Sequence, residues 1–400
     1  MTKKVNSRVP LKNIKNLSIS LFLIFSGNIY AQDHSFEIKY DIKGIQSTTA
    51  SVTIFGNREA VDHEPIHIED GKFIFTGTAI EPVVARIWLD HDLQLRKTSY
   101  GDRGFYPVKS EQIWVIVYPG AKFSVSGEIS GKDYMSVNAK DGAENDFFAE
   151  LAQKMMPLIS EIGNLAVEGS NPNISKDKKE ENRAETARLS AELEKIKIDF
   201  ITSRANTLTA LWLMEDMLIR SEIKPELLVP ILAKVDKIKY SNNYFYKAVS
   251  DRISGAFNTS VGQMCPNIET DDTYDGASFS LSSMKGKYVI IDFWGTWCGP
   301  CMAGVPHMKE FRDKYQDKIE ILGISNDKNV ALWRSVIERN NMNWTNILIG
   351  TGEKDFVSTF NVQGFPTKIL LSPEGKILFR ESGENEAFYD NVATKITNCN

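Results

Sequence analysis

The sequence predicts an α/β domain at the C-terminus, a small β-sandwich or barrel at the N-terminus, and a helical region between them. Three observations carry this. From Ser35 to about Val137, apolar and polar residues mostly alternate, as half-buried strands do. From about Glu144 to Phe257 the apolar period becomes helical. From Val261 onward strand and helix patterns alternate around an apolar run, Tyr288-Val289-Ile290-Ile291-Asp292-Phe293, typical of a central strand buried on both faces.

In the N-terminal part, Phe36–Ile42, Ser51–Phe55, Lys72–Thr76, Val83–Leu89, Ile113–Tyr118 and Lys122–Val125 are predicted strands. Glu69-Asp70-Gly71-Lys72 and Tyr118-Pro119-Gly120-Ala121 are turns between them. Short strands at this spacing suit a small sandwich or barrel. In the helical region Leu189, Leu193, Ile196 and Phe200 make one stripe, and Asn171-Pro172 and Lys224-Pro225 mark breaks. Ser175–Arg188 is rich in charges of both signs, which suits a solvated helix face or a mobile loop rather than a binding surface. In the C-terminal part the expected elements are a helix Pro300–Tyr315, a strand Ile319–Ser325 and a helix Ala331–Arg339. Strands Lys368–Leu371 and Lys376–Arg380 then flank the turn Ser372-Pro373-Glu374-Gly375, and a helix Glu386–Thr397 follows. The expected segments are 1–31, 32–140 (β-rich), 141–260 (helical) and 261–400 (α/β).

Four hundred residues suggest two or three domains, and 42% apolar with 25% charged residues is the composition of a globular chain. Lys3, Lys4, Arg8, Lys12 and Lys15 precede any acidic residue, an apolar run Leu17–Phe25 follows, and Ala31 closes a small-residue stretch. That order is the pattern of an export signal cleaved after Ala31. The run is short of the ~20 apolar residues that span a bilayer, so an uncleaved anchor is the second reading. The expected location is the periplasm or cell envelope, with membrane contact only if the segment stays uncleaved. Its removal would take the net charge from −5 to −10. An acidic protein of this kind is a poor partner for nucleic acid.

Four cysteines, Cys265, Cys298, Cys301 and Cys399, are too few for a disulfide scaffold in a chain this long. Cys298 and Cys301 directly follow the central apolar run, in Trp294-Gly295-Thr296-Trp297-Cys298-Gly299-Pro300-Cys301. At a strand-to-helix junction, free N–H groups and the helix dipole stabilise a thiolate, lowering the thiol pKa from about 8.5 towards about 7. Cys301, three residues on, lies on the same face of the first turn, and Pro300 is tolerated there. Cys298 is the expected nucleophile and Cys301 the resolving thiol of dithiol–disulfide exchange.

Asp292 through Cys301 resembles the active-site segment of thioredoxins. Pro306 matches that family's helix-kinking proline, and Gly364-Phe365-Pro366-Thr367 its cis-proline loop. Gly262-Gln263-Met264-Cys265-Pro266-Asn267 and Gly323-Ile324-Ser325-Asn326-Asp327 with Trp333 are similar to the exported TlpA/ResA-like branch. The resemblance covers about Val261–Asn400 and implies a thioredoxin fold and a thiol-disulfide oxidoreductase. It implies that Asp292 is a buried acid that takes the proton of Cys301. It also implies that Pro366 is cis against the disulfide, with the backbone of Phe365 pairing with a client chain. The expected docking surface is Trp297, Gly299, Pro300, Phe365 and Pro366, with Trp297 shielding the pair and Trp294 mainly packing. Thioredoxins carry a lysine near the acid, and Leu322–Ser325 offers no equivalent. The N-terminal half resembles β-rich domains of unknown function that precede thioredoxin domains in envelope proteins of Bacteroidota, which implies a platform for partners.

The expected partners are client proteins with disulfides or thiols, and an electron donor or acceptor protein. The Gly-Pro dipeptide is that of reducing thioredoxins. A peroxiredoxin-type thiol peroxidase is the first alternative, but it needs Thr three residues before the cysteine, and Thr296 stands two before Cys298. The second is a non-enzymatic client-binding module. No metal or cofactor is expected. His63 and His67 have no evident third or fourth ligand, and no phosphate loop or haem motif occurs. Cys265 and Cys399 are open to a bridge or to separate thiols, and His307 suits a helix surface.

Overall fold

A computed structural model describes residues 34–397 apart from 46, 57–60, 90–94, 98–104, 108–111, 130–134 and 351–354. The export pattern over 1–31, Cys399 and the side chain of His63 therefore lie outside the described residues. Among those that are described, no helix is long and apolar enough to cross a membrane.

Eight of the ten N-terminal strands described form two four-stranded sheets, and Leu95–Lys97 pairs antiparallel with Phe105–Pro107. The first has the order Met135–Lys140, Lys122–Ile129, Ser35–Lys43, Lys72–Thr78, with Ser35–Lys43 parallel to Lys122–Ile129 and the other pairs antiparallel. The second has the order Val61–His67, Thr49–Phe55, Val83–Leu89, Ile113–Val117, all antiparallel. Phe36, Ile38, Tyr40 and Ile42 alternate with polar residues and share one core with Val52, Ala85, Ile87, Val115 and Val117 of the second sheet. The shared core makes this a sandwich rather than a barrel.

The second sheet is buried on both faces. Val84 and Ile116 point away from the sandwich core and pack with Phe148, Trp212 and Phe245 of the helical region. The edge strand Ile113–Val117 is closed by one side chain. Asn145, fully buried, accepts the N–H of Ile116 at 2.8 Å and donates to its carbonyl at 3.0 Å. A buried edge strand would otherwise leave both groups without partners.

The helices are Ala143–Gly169, Lys176–Ser203, Leu208–Ile219, Pro225–Leu232, Lys237–Tyr240 and Tyr244–Asn258. The charge-rich stretch is the start of Lys176–Ser203, capped by Ser175, whose hydroxyl accepts the N–H of Lys178 at 3.2 Å. Of its stripe, Leu189 and Phe200 are buried and Leu193 and Ile196 half-buried.

The C-terminal sheet has five strands in the order Thr345–Leu348, Ile319–Ser325, Tyr288–Trp294, Thr367–Leu371, Ile377–Ser382. The first three are parallel, Thr367–Leu371 runs antiparallel to them, and Ile377–Ser382, antiparallel to Thr367–Leu371, runs in the direction of the first three. Tyr288–Trp294 is central, and its side chains alternate between two cores. Val289, Ile291 and Phe293 face a core with Leu322, Phe360 and Ile369. Ile290 and Trp294 face the side covered by helices Gly299–Lys314 and Glu386–Thr397. Asp292 falls between them in the same alternation, behind the dithiol helix.

Candidate functional site

Cys298 is the N-cap of helix Gly299–Lys314, and its sulfur accepts the N–H of Cys301 at 3.2 Å. The two sulfurs are bonded to each other, with Cα atoms 5.3 Å apart, so the structure is that of the oxidised pair. The sulfurs sit in an apolar cluster with Trp294, Val305, Trp333 and Met342. Gly299 and Pro300, the intervening residues, are exposed, and Pro306 lies inside the same helix.

The loop leading into the pair is pinned by Asp327. Its carboxylate accepts the N–H of Thr296 at 2.9 Å, the hydroxyl of Thr296 at 2.5 Å and that of Ser325 at 2.6 Å. Trp297 lies above as a lip, 59% exposed, with Nε1 donating to Asn326 O at 3.2 Å. A Cβ on Gly295 would stand 2.7 Å from that indole, so the lip lies flat only over glycine. Trp294, in contrast, is buried. Opposite the lip, Phe365 meets Trp297 edge to face at 5.3 Å and packs on the cysteine cluster. The Phe365-Pro366 peptide is cis and Pro366 is buried. The N–H and C=O of Phe365 have no hydrogen-bond partner among the described residues. Trp297 and Phe365 thus meet beside the pair, Gly299 and Pro300 lie between its two cysteines in sequence and Pro366 follows Phe365, whereas His307 is exposed and its ring meets Tyr389 at 6.4 Å.

Behind the pair, Asp292 is buried, and its Oδ1 accepts no hydrogen bond. Burial pushes its carboxyl up to about 6; Lys368 opposes that rise and Glu384 adds to it. A lysine, Lys368, stands beside the acid. It comes from the next strand, directly across from Asp292 in the antiparallel register. Its Nζ is 3.8 Å from Asp292 Oδ1 and 2.5 Å from Glu384 Oε2. Leu322–Ser325 carries no lysine, as read, and Lys368 lies beside Asp292 because cross-strand neighbours share a face whatever their separation in sequence. A lone lysine inside the buried strand Thr367–Leu371 was the available signal. Glu384 reaches the site over Gly304, where a Cβ would collide with the Glu384 carboxylate.

Cys265 is half-buried, its thiol donating to Pro266 O at 3.4 Å, and burial pushes its pKa up to about 12, so it is not a reactive thiol. No group of three or more potential metal ligands occurs among the described residues.

A family model described as thioredoxin-like matches residues 286–377. The ResA thiol-disulfide oxidoreductase of Bacillus cereus is 31% identical over 125 residues, which is 31% of this chain and 70% of that protein. ResA of Bacillus subtilis is 29% identical over 134 residues, 33% of this chain and 72% of that protein. Among solved structures, the thioredoxin domain of a thiol-disulfide oxidoreductase from Bacteroides vulgatus is 31% identical. It covers 34% of this chain and 98% of that one, with a TM-score of 0.32.

Proposed function

The chain belongs to the ResA family of thiol-disulfide oxidoreductases, and on that premise we propose that Cys298 and Cys301 reduce disulfides of client proteins outside the cytoplasm. The single observation that carries the assignment of roles is the position of Cys298. Its sulfur caps a helix N-terminus and accepts the Cys301 N–H, under an open lip. That placement favours negative charge on Cys298 rather than on Cys301.

In the reduced enzyme the Cys298 thiolate attacks one sulfur of the client disulfide. A mixed disulfide forms and the other client sulfur leaves as thiolate. Asp292, ionised above its pKa of about 6, takes the proton of Cys301. The Cys301 thiolate then attacks Cys298, the second client thiolate leaves, and the Cys298–Cys301 bond forms. Two electrons have passed to the client, and a donor dithiol protein must return them. During the first attack the free N–H and C=O of Phe365 pair with the client's extended chain while Trp297, Gly299, Pro300 and Pro366 shape the contact. Location in the periplasm or envelope is supported by the charge and apolar pattern of residues 1–31.

The test is direct. Cys298→Ala should abolish the protein's acceleration of insulin reduction by dithiothreitol, and unchanged turnover would sink the reading. Cys301→Ala should hold clients as mixed disulfides on Cys298, and mass spectrometry of the trapped species identifies them.

A further inference from the structure

The loop that ends in the cis peptide is held in part by the helical region that precedes the C-terminal sheet. Phe356–Thr359 is a single helical turn, capped by Asp355, whose carboxylate accepts the N–H of Val357 at 3.0 Å and the Ser358 hydroxyl at 2.6 Å. After it come three successive carbonyls, each met by a side chain from elsewhere. Phe360 O lies 3.4 Å from the hydroxyl of Thr259, which gives its one proton chiefly to Gly255 O at 2.6 Å. Asn361 O accepts Nη2 of Arg380 at 2.7 Å, and Val362 O accepts Nη1 of Arg252 at 3.3 Å. Arg380 also donates to Thr259 at 3.1 Å, which ties the three together. The next side chain, Gln363, donates to Leu218 O at 3.1 Å, in the last turn of helix Leu208–Ile219.

Arg252 and Gly255 belong to helix Tyr244–Asn258, and Thr259 is its C-cap. The helix backbone is pressed onto the turn. A Cβ on Gly255 would stand 2.6 Å from both Ser358 O and Thr359 O. Arg252 is buried and its Nε has no partner among the described residues; its guanidinium is compensated by the contact to Val362 O and by the charge of the neighbouring Glu215. From Val362 only two residues intervene before Phe365, so a shift of the clamped carbonyls reaches the open edge within about 10 Å of chain.

We propose that helix Tyr244–Asn258 acts as a clamp that sets the position of the Phe365 edge, making Arg252 and Gly255 positioning residues for the extended chain of a disulfide-bearing client. The inference rests on the dithiol reading and adds a role for the helical region, which touches the docking loop and leaves the sulfurs alone. A displaced edge loses contacts made equally before and during exchange, which raises KM and leaves kcat.

The experiment uses the full chain and two disulfide substrates. Insulin needs the docking edge, whereas dithionitrobenzoate is too small to use it. Gly255→Ala must push the turn away, since both facing atoms are backbone. It should raise KM for insulin by about tenfold, with kcat, the midpoint potential of the pair and dithionitrobenzoate turnover unchanged. Arg252→Met should act in the same direction should the alanine variant fail to fold, and Arg252→Lys, which keeps a donor, should restore part of the loss. Folded variants with insulin KM within about twofold of the parent overturn the clamp. Loss of kcat on both substrates overturns it as well, because the effect would then lie at the sulfurs. Cys298→Ala is run beside them. If it stays active the dithiol reading has failed, and if it is dead while KM is unmoved in the clamp variants, only the clamp has failed.

Discussion

Asp292 and Lys368 stand directly opposite each other in the two central strands, Nζ 3.8 Å from Oδ1, yet the lysine's shorter contact is with Glu384 at 2.5 Å. The lysine is therefore shared, and the acid behind the dithiol is only partly compensated. A fully paired aspartate would be ionised well below neutral pH and a poor base. This one is poised at about 6.

Activity should follow that value. Below pH 6 Asp292 is protonated and cannot take a proton from Cys301, so the resolving step rises with pH through about 6. Asp292→Asn should flatten this limb and slow resolution by about a hundredfold, measured by stopped-flow decay of the mixed disulfide. A limb that survives in the variant removes Asp292 from the reaction.

Stability runs the opposite way. The folded pKa, about 6, lies above the ordinary value of 3.8, so between them the folded chain binds more protons than the unfolded one. The contribution is full below 3.8 and lost as pH rises through 6. Asp292→Asn should thus gain about 2–3 kcal/mol at pH 8 and little at pH 4, by urea denaturation at both values. Equal gains at the two pH values would contradict the origin in burial.

Lys368→Met removes the group that holds the acid down. The activity limb should move up by about one pH unit, and stability should fall by about 3 kcal/mol because Glu384 loses its partner. A pH–rate profile with an unmoved limb would show that Lys368 serves packing alone.

Gly304→Ala sets a methyl against the carboxylate of Glu384. The expected cost is about 1–3 kcal/mol, and less when Glu384→Ala is made in the same chain, since the obstacle is then gone. Additive losses in that double-mutant cycle would mean that the two residues do not meet.

Trp297→Ala should separate stability from binding. The indole is mostly exposed, so the midpoint of unfolding should stay within about 0.5 kcal/mol, while KM for insulin rises and kcat holds. A variant with unchanged KM would take the lip out of the docking surface.

Much of this was legible from the chain because the signals are local. Val83–Leu89, Ile319–Ser325 and Glu386–Thr397 have the bounds that alternation and helical period predict. Cys298, Cys301, Phe365 and Pro366 announce themselves by motif. Lys368 and Glu384 do not, because their roles depend on strand register and on a gap above Gly304. The short strand Thr345–Leu348 escaped because Thr-Asn-Ile-Leu carries too little pattern to separate from a loop. Asp327 lay within the family stretch, but its grip on Thr296 and Ser325 is a matter of loop geometry.

The parallel pairing in the sandwich bears on assembly. Ser35–Lys43 is an interior strand, with Lys72–Thr78 on one side and Lys122–Ile129 on the other, so that Glu37 pairs with Lys122. A chain that emerges N-terminus first cannot complete this sheet until residue 122 and its neighbours arrive. Until then one side of the strand offers unpaired backbone and a row of Phe36, Ile38, Tyr40 and Ile42. Long-range closure of this kind is slow relative to local hairpins and helices. Closure of the sandwich is thus a long-range step that waits on the arrival of residue 122.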